Sequence, residues 1–388
     1  MLALGRRAVL WGIGAMSMQP SFSMAGLPAD PAAGPFASAA SPQDAGFSAD
    51  LGERLEAGVR SGLLRNLHAV LVLRAGRLAL ERYFDGPDES WGRPLGTVAM
   101  GPDTLHDLRS VTKSIVGLLY GIALERGLVP PPEAPLLAQF PQYPDLAADP
   151  ARARLTVAHA LTMTLGLEWN EDLPYTSPAN SEIAMESAPN RYRYVLERPV
   201  AAEPGTRWTY CGGATALLGG LIAKGAGRPL PDFAREALFE PLGIGRFEWA
   251  SGRDGIASAA SGLRLTPRDL ARIGELILNG GRLRSGELDG RAIVPKAWLD
   301  ASFTPAVPTG DGLRYGRQWF LGREPVPAMP GPPQMWASGF GNGGQRLWLM
   351  PSAGLAVVIL CGAYNAPDHW VTPTRVWREI VLPNLQKA

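Results

Sequence analysis

The strongest constraint on how this chain folds is a pair of hairpin patterns, one near each end, separated by a long helical stretch. Residues 68–73 and 78–84 are apolar, strand-forming runs joined by the turn 74–77. Residues 345–350 and 356–361 repeat the pattern around the turn Pro351-Ser352-Ala353-Gly354. The alternating run 315–321 adds a further strand. Helical spacing marks 50–63, 155–163, 214–226 and 231–239, and Thr266-Pro267 opens another helix that closes at Gly280-Gly281. Residues 371–385 read as a last helix bent at Pro383, while 85–105 and 168–189 read as loops. Hairpins at both ends with helices between them predict an α+β fold. One antiparallel sheet is built from both chain ends and flanked by helices, forming an α/β sandwich with an inserted all-helical domain. The expected boundaries are 47–117 and 248–388 for the sheet domain and 118–247 for the helical one.

With 388 residues, 46% hydrophobic and 19% charged, the chain can bury a sizeable core. A net charge of +1 gives no basis for a nucleic-acid partner. Arg6-Arg7, the apolar run 8–16 and Ser23-Met24-Ala25 read as an export signal over 1–25, with twin-arginine export possible, followed by an Ala/Pro/Ser-rich linker over 26–46. The expectation is therefore a periplasmic or secreted protein with no membrane association once the signal is cleaved. Cys211 and Cys361 each lie in apolar stretches and are expected to be buried free thiols.

Ser110-Val111-Thr112-Lys113 stands at the head of the apolar helical run 115–123. Residues three apart share a helix face, so the hydroxyl and the amine can meet, and a lysine amine kept neutral could take the serine proton. The helix N-terminus favours the negative oxygen formed during attack. Lysine is scarce: Lys113, Lys224, Lys296 and Lys387 are the whole set. The alternative is a lysine that merely caps or snorkels.

Two companions supply what acyl transfer still lacks. Tyr210, reached through the turn-rich segment 204–209 just before an apolar helix, could pass a proton to a leaving group. The glycine-rich segment 339–345 suggests a close approach to backbone, with the N–H groups of Gln345 and Ser110 as oxyanion donors and Asn342, Gly343 and Gly344 beside the substrate. Trp169, Tyr175, Trp208, Trp319, Trp336 and Phe340 could line an acyl pocket. The acidic pair Glu171-Asp172 reads as a solvated loop, and His68, His106, His159 and His369 as scattered residues without metal-ligand spacing. No metal and no cofactor is expected, and the oligomeric state stays open.

The order Ser-x-x-Lys helix, tyrosine before a second helix, glycine-rich strand near the end resembles the serine β-lactamase and penicillin-binding-protein superfamily. It is most similar to class C β-lactamase-like esterases and 6-aminohexanoate-dimer hydrolases. The resemblance covers roughly 47–382 and implies a site at the seam of two domains. It makes Ser110 the nucleophile, Lys113 the general base and Tyr210 a proton shuttle. Two positions depart from the pattern. Gly212 stands where the family's Asn would be, and Asn342 where a Lys would attract a drug's carboxylate. Both departures point to a small ester or linear amide rather than a β-lactam. Two other readings stay open at this stage: a slowly deacylating penicillin-binding sensor or D-Ala-type peptidase, and a non-catalytic scaffold of the same fold.

Overall fold

The computed structural model describes residues 25–26, 37–284 and 290–387. The expected export signal, apart from Ala25, and residues 27–36 of the linker lie outside these residues.

A nine-stranded sheet forms the middle layer. Its hub is β1 (Leu67–Arg74), paired on one side with β2 (Arg77–Tyr83). From the other end of the chain come β3 (Phe320–Val326), β4 (Met329–Gly341), β5 (Gln345–Met350) and β6 (Leu355–Cys361), each antiparallel to the next. β6 pairs antiparallel with β1, Val358 opposite Leu71, and joins the two ends of the chain. Both strands are apolar at nearly every position because both faces of the sheet are covered. In β1, Ala69, Leu71 and Leu73 enter one core while Val70 and Val72 enter the other. Helix α1 (Leu51–Arg60) and the C-terminal helical segment seal the second core, where Trp348 stacks on Trp377 at 5.2 Å.

On the first face lie α2 (Val111–Glu125), α3 (Gly212–Ala226) and α4 (Pro267–Leu278). α2 is buried almost all round, as a helix between a sheet and a second helical layer must be. Its glycines let Trp298 lie against it: the indole N–H donates to the Gly117 carbonyl at 2.9 Å, and a side chain at Gly121 would overlap the ring. The described residues between α2 and Arg246 form helices, turns and isolated bridges.

Several local expectations change. The 85–105 loop contains a hairpin, Gly86–Ser90 against Arg93–Val98, turned at Trp91 and Gly92, both with positive φ. Its strands are short and polar, and Trp91 is an unusual residue for such a turn, so no alternation marks it. The 315–321 strand is broken. Gln318 leaves the sheet to bond the Leu161 carbonyl through its N–H at 3.0 Å and Thr215 through its side chain at 2.7 Å. β4 is a 13-residue strand despite Pro330, Pro332 and Pro333. β5 pairs with β4 only from Ala337 onward, so the prolines face no ladder there. The 168–189 loop carries a helix, Ser181–Glu186, capped by the Asn180 side chain.

The Gly121–Trp298 contact gives a direct test of how α2 is seated. Gly121→Val is expected to destabilise the fold by about 1–3 kcal/mol through overpacking, read as a lower denaturant midpoint. Leu128→Val at the half-buried end of this helix region should change it by less.

Candidate active site

Ser110 is placed by a short, heavily braced turn. The strand His106–Asp107 pairs with Leu263–Leu265, and the Leu108 N–H donates to the Leu263 carbonyl at 3.0 Å. Asp107 is sealed from solvent and is held by the Arg264 guanidinium at 2.7 Å and the Trp91 N–H at 2.7 Å. Arg109 sits in the left-handed region at φ 48°, its guanidinium bonded to Glu89 and 3.2 Å from Asp107. A non-glycine residue held there stores strain that the surroundings must over-determine. The chain then turns into α2 at Ser110.

Within the first turn of that helix, Lys113 Nζ lies 3.0 Å from Ser110 Oγ, 3.2 Å from Glu182 Oε2 and 3.1 Å from the Ala260 carbonyl oxygen. The Tyr210 ring lies 4.8 Å from the same nitrogen. Glu182 and the Ala260 carbonyl can only accept, and the serine oxygen accepts too, so an ammonium uses all three of its protons here. Burial opposes that charge, but the Glu182 carboxylate outweighs it and holds Lys113 above the ordinary lysine range. Burial likewise pushes the Tyr210 phenol up, while the Lys113 ammonium and a hydrogen bond with Ser110 pull it back. Ser110, Lys113 and Tyr210, drawn from two distant stretches of sequence, therefore meet at one point.

Gly212 explains the unusual counter-ion. A side chain there would overlap the Glu182 carboxylate and crowd Glu171. Both acids thus occupy the space that a larger residue at 212 would fill. Glu171 accepts from the Gly212 N–H, from Trp169 Nε1 at 2.6 Å and from the Tyr175 hydroxyl at 3.0 Å. Glu182 also accepts from Ser261 Oγ. Burial and the neighbouring Glu182 charge push Glu171 up to about 7. Glu182 stays below the usual range because Lys113 outweighs its burial. The acidic loop expected to be solvated thus has one member, Glu171, turned into the site, and Glu182 was not anticipated at all. Two signals pointed to them: a buried lysine needs a counter-charge, and Asn180 is a helix cap two residues before Glu182.

The glycine-rich segment is placed differently from the expectation. Gln345 is buried and its side chain clips the sheet, donating to Asn342 O at 3.1 Å and Cys361 O at 2.7 Å. Asn342 pairs with Asn365, Gly343 packs on Tyr364, and Gly344 lies against Cys361 and His369. The close approach to α2 occurs earlier, on β4. A Cβ on Gly339 would lie 3.0 Å from Ser114 Oγ and 3.1 Å from Val111 Cγ1, and one on Gly341 would overlap the Leu108 carbonyl oxygen. β3 pairs with β4 only as far as Ser338, so 339–341 has no partner on that side.

Among the aromatic residues, Phe340 stacks on Phe320 at 4.6 Å, and Phe320 on Tyr210 at 6.0 Å. Trp208 joins this group beside Tyr210 and Tyr315, and Trp336 lies beyond Phe340. Trp319 does not line it. It is fully buried against Phe303 on the other face, since successive strand residues alternate, and Phe320 takes the place expected of it. Trp169 is core, its indole nitrogen orienting Glu171, and Tyr175 bonds the same carboxyl. Cys211 and Cys361 are free and buried. The histidines expected to be scattered are not all so: His68 Nδ1 lies 3.0 Å from His106 Nε2.

Glu171 makes stability depend on pH. Its folded value, about 7, lies above the ordinary carboxyl value, so its contribution is fully present below about pH 4.3 and is lost as pH rises through 7. Glu171→Gln cannot ionise. The difference in melting temperature, variant minus wild type, should rise by several degrees between pH 5 and about 8; a flat difference would contradict the raised value.

A protein-family model described as Beta-lactamase matches residues 52–378. A 6-aminohexanoate-dimer hydrolase of Paenarthrobacter ureafaciens is 27% identical over 324 residues, covering 78% of this chain and 74% of that protein. Esterase EstB of Burkholderia gladioli is 29% identical over 208 residues, 51% of each chain. Among solved structures, the octameric penicillin-binding protein homologue from Pyrococcus abyssi superposes with a TM-score of 0.61 at 18% identity, over 84% of this chain and 76% of that one. The fold is therefore the β-lactamase and transpeptidase fold. Given a match that runs from α1 through the C-terminal helix and takes in the Ser110 turn, the chain belongs to the Beta-lactamase family and is a serine hydrolase.

Proposed function

We propose that this serine hydrolase cleaves a small ester or linear amide through an acyl-enzyme on Ser110. The observation that carries the reading is Lys113 Nζ at 3.0 Å from Ser110 Oγ with the Tyr210 ring against the same nitrogen.

Lys113, with three acceptors around it, serves as a fixed ammonium rather than as the first base. Tyr210 takes the Ser110 proton in its ionised form, a minor fraction because burial pushes the phenol up, and the Lys113 ammonium offsets part of the cost of burying that phenolate. Ser110 Oγ then bonds to the carbonyl carbon, and the negative oxygen is received by the Ser110 N–H and an N–H on the side of the 339–341 segment that β3 leaves open. The bond to the leaving alcohol or amine breaks as Tyr210 returns the proton to it. The Tyr210 phenolate left behind takes a proton from a water molecule, the hydroxide attacks the acyl carbon, and as the acyl–oxygen bond breaks the phenol returns that proton to Ser110 Oγ.

The surroundings support an apolar, uncharged acyl group. Trp208, Phe320 and Phe340 form a continuous aromatic wall beside Tyr210. The carboxyl pair Glu171 and Glu182 at Gly212 opposes an anionic group there, and Lys113's charge is already engaged by Glu182. The relatives named as a 6-aminohexanoate-dimer hydrolase and an esterase are consistent with this class. We further propose that the enzyme works outside the cytoplasm, because Arg6-Arg7 and the apolar run after it have the form of an export signal.

Assays of p-nitrophenyl esters, a short linear amide and nitrocefin should be run side by side. Esters or the amide should be turned over at least tenfold faster than nitrocefin. Ser110→Ala should lose about a thousandfold or more and fail to label with a fluorophosphonate, and Tyr210→Phe should lose about 100–10,000-fold. Nitrocefin turnover equal to that of the esters would remove the substrate assignment; activity surviving in Ser110→Ala would remove the mechanism.

A further inference from the structure

Beneath the turn that carries Ser110, four side chains from four separate segments point at one spot. His68 belongs to β1, Asp88 to the hairpin strand Gly86–Ser90, His106 to the strand before the nucleophile turn, and Tyr364 to the chain just after β6. His68 Nδ1 and His106 Nε2 are 3.0 Å apart, and Asp88 Oδ1 is 3.6 Å from His106 Nε2. Tyr364 Oη is 2.9 Å from Asp88 Oδ1 and 3.5 Å from His106 Nε2. The ligand atoms of the two histidines and the aspartate all lie within 4.8 Å of one another. A tetrahedral zinc ion with N and O ligands at about 2.0–2.2 Å places those atoms about 3.3–3.6 Å apart. The separations found here bracket that edge length.

The chemistry of the group fits a cation. Both imidazoles and the carboxylate are sealed from solvent, at 0%, 1% and 5% exposure. Asp88 Oδ1 accepts from Tyr364, but Oδ2 is buried with no hydrogen-bond partner. The nearby guanidiniums are engaged elsewhere: Arg109 with Glu89 and Asp107, Arg264 with Asp107 and Glu248. A buried carboxylate left without a cation is costly. His106 Nδ1 faces the Asp107 carbonyl at 3.1 Å, which can only accept, so that nitrogen carries the proton and Nε2 presents its lone pair inward. A metal-binding histidine is oriented in just this way by a backbone carbonyl.

We propose that His68, Asp88 and His106, with the Tyr364 hydroxyl as fourth ligand, form a zinc site that braces the nucleophile turn. Two nitrogen and two oxygen donors in a compact tetrahedron suit zinc better than magnesium or calcium, which prefer six or more oxygens. The ion would tie together β1, the 86–98 hairpin, the strand leading into Ser110 and the chain after β6. Tyr364 extends that bracing, since Arg109 lies over its ring at 5.0 Å and Gly343 packs against its edge. The role is structural, and it does not depend on how Ser110 is activated.

The test uses the full chain, stripped with a chelator and then dialysed against zinc or cobalt. Bound metal is measured by elemental mass spectrometry, and stability by thermal unfolding. About one zinc per chain is expected, with a melting temperature several degrees above that of the stripped protein and, for cobalt, visible bands of four-coordinate intensity. Tyr364→Phe keeps the ring beneath Arg109 and should weaken zinc binding about 10-fold or more, and His106→Gln should abolish stoichiometric uptake. If His106→Gln does not fold, the wild type and Tyr364→Phe decide alone. Failure of the wild type to take up stoichiometric zinc would overturn the proposal, as would uptake that neither variant weakens. The four side chains would then form a hydrogen-bonded cluster only.

Discussion

The buried ion pair between Lys113 and Glu182 is the interaction on which the rest of the site depends. Neither charge has appreciable contact with solvent, and an ammonium or a carboxylate alone in that place would carry a desolvation penalty of several kcal/mol. Each therefore requires the other, and the requirement reaches across the molecule. Lys113 is on α2, Glu182 on the capped helix Ser181–Glu186, and both are tied to the 258–262 segment, Lys113 through the Ala260 carbonyl and Glu182 through Ser261. Three stretches far apart in sequence are fixed around one charge. The same charge reaches the nucleophile, because the third proton of Lys113 is directed at Ser110.

In the mechanism proposed above the pair also divides the chemical labour: with Glu182 holding the ammonium, the lysine acts as a stationary positive charge, and the mobile proton is left to Tyr210. Glu171 adds a second layer of control. It touches Gly212, Trp169 and Tyr175 and titrates in response to Glu182, so the field around Lys113 depends on a proton one residue shell away. The absence of a side chain at 212 is what admits both acids. A residue that looked like a loss in the motif is the space in which a different electrostatic solution is built.

Much of the architecture was legible because it rests on local pattern. β1 and β2, the hairpin of β5 and β6, the capped start of α4 and the buried helix behind Ser110 all carry their periodicity in consecutive residues. The reading failed where pairing overrides pattern. β4 runs through three prolines because its outer half needs no second partner. The strand expected over 315–321 breaks because Gln318 finds better hydrogen bonds in the helical layer. Trp319 lies outside the wall it was expected to line, and Phe320 stands there instead, because alternation is read correctly only once the strand's first residue is known. The close approach promised by the glycines is real, but toward the Ser110 turn and α2 it falls at Gly339 and Gly341, while Gly343 and Gly344 meet Tyr364, Cys361 and His369.

The amino-acid order by itself determined the main strands and helices, that the two ends share one sheet, and that a serine, a lysine and a tyrosine are available to react. Those properties follow from short-range periodicity, from turn chemistry and from a motif confined to one helical turn. The folded structure alone decided the lysine's charge state, the acid that partners it, the strand segment facing the nucleophile and the meeting of His68 with His106. Each of these depends on distances between residues tens to hundreds of positions apart. Electrostatic energy is set by separation in space and by burial, and neither quantity is written in the spacing of residues along a chain.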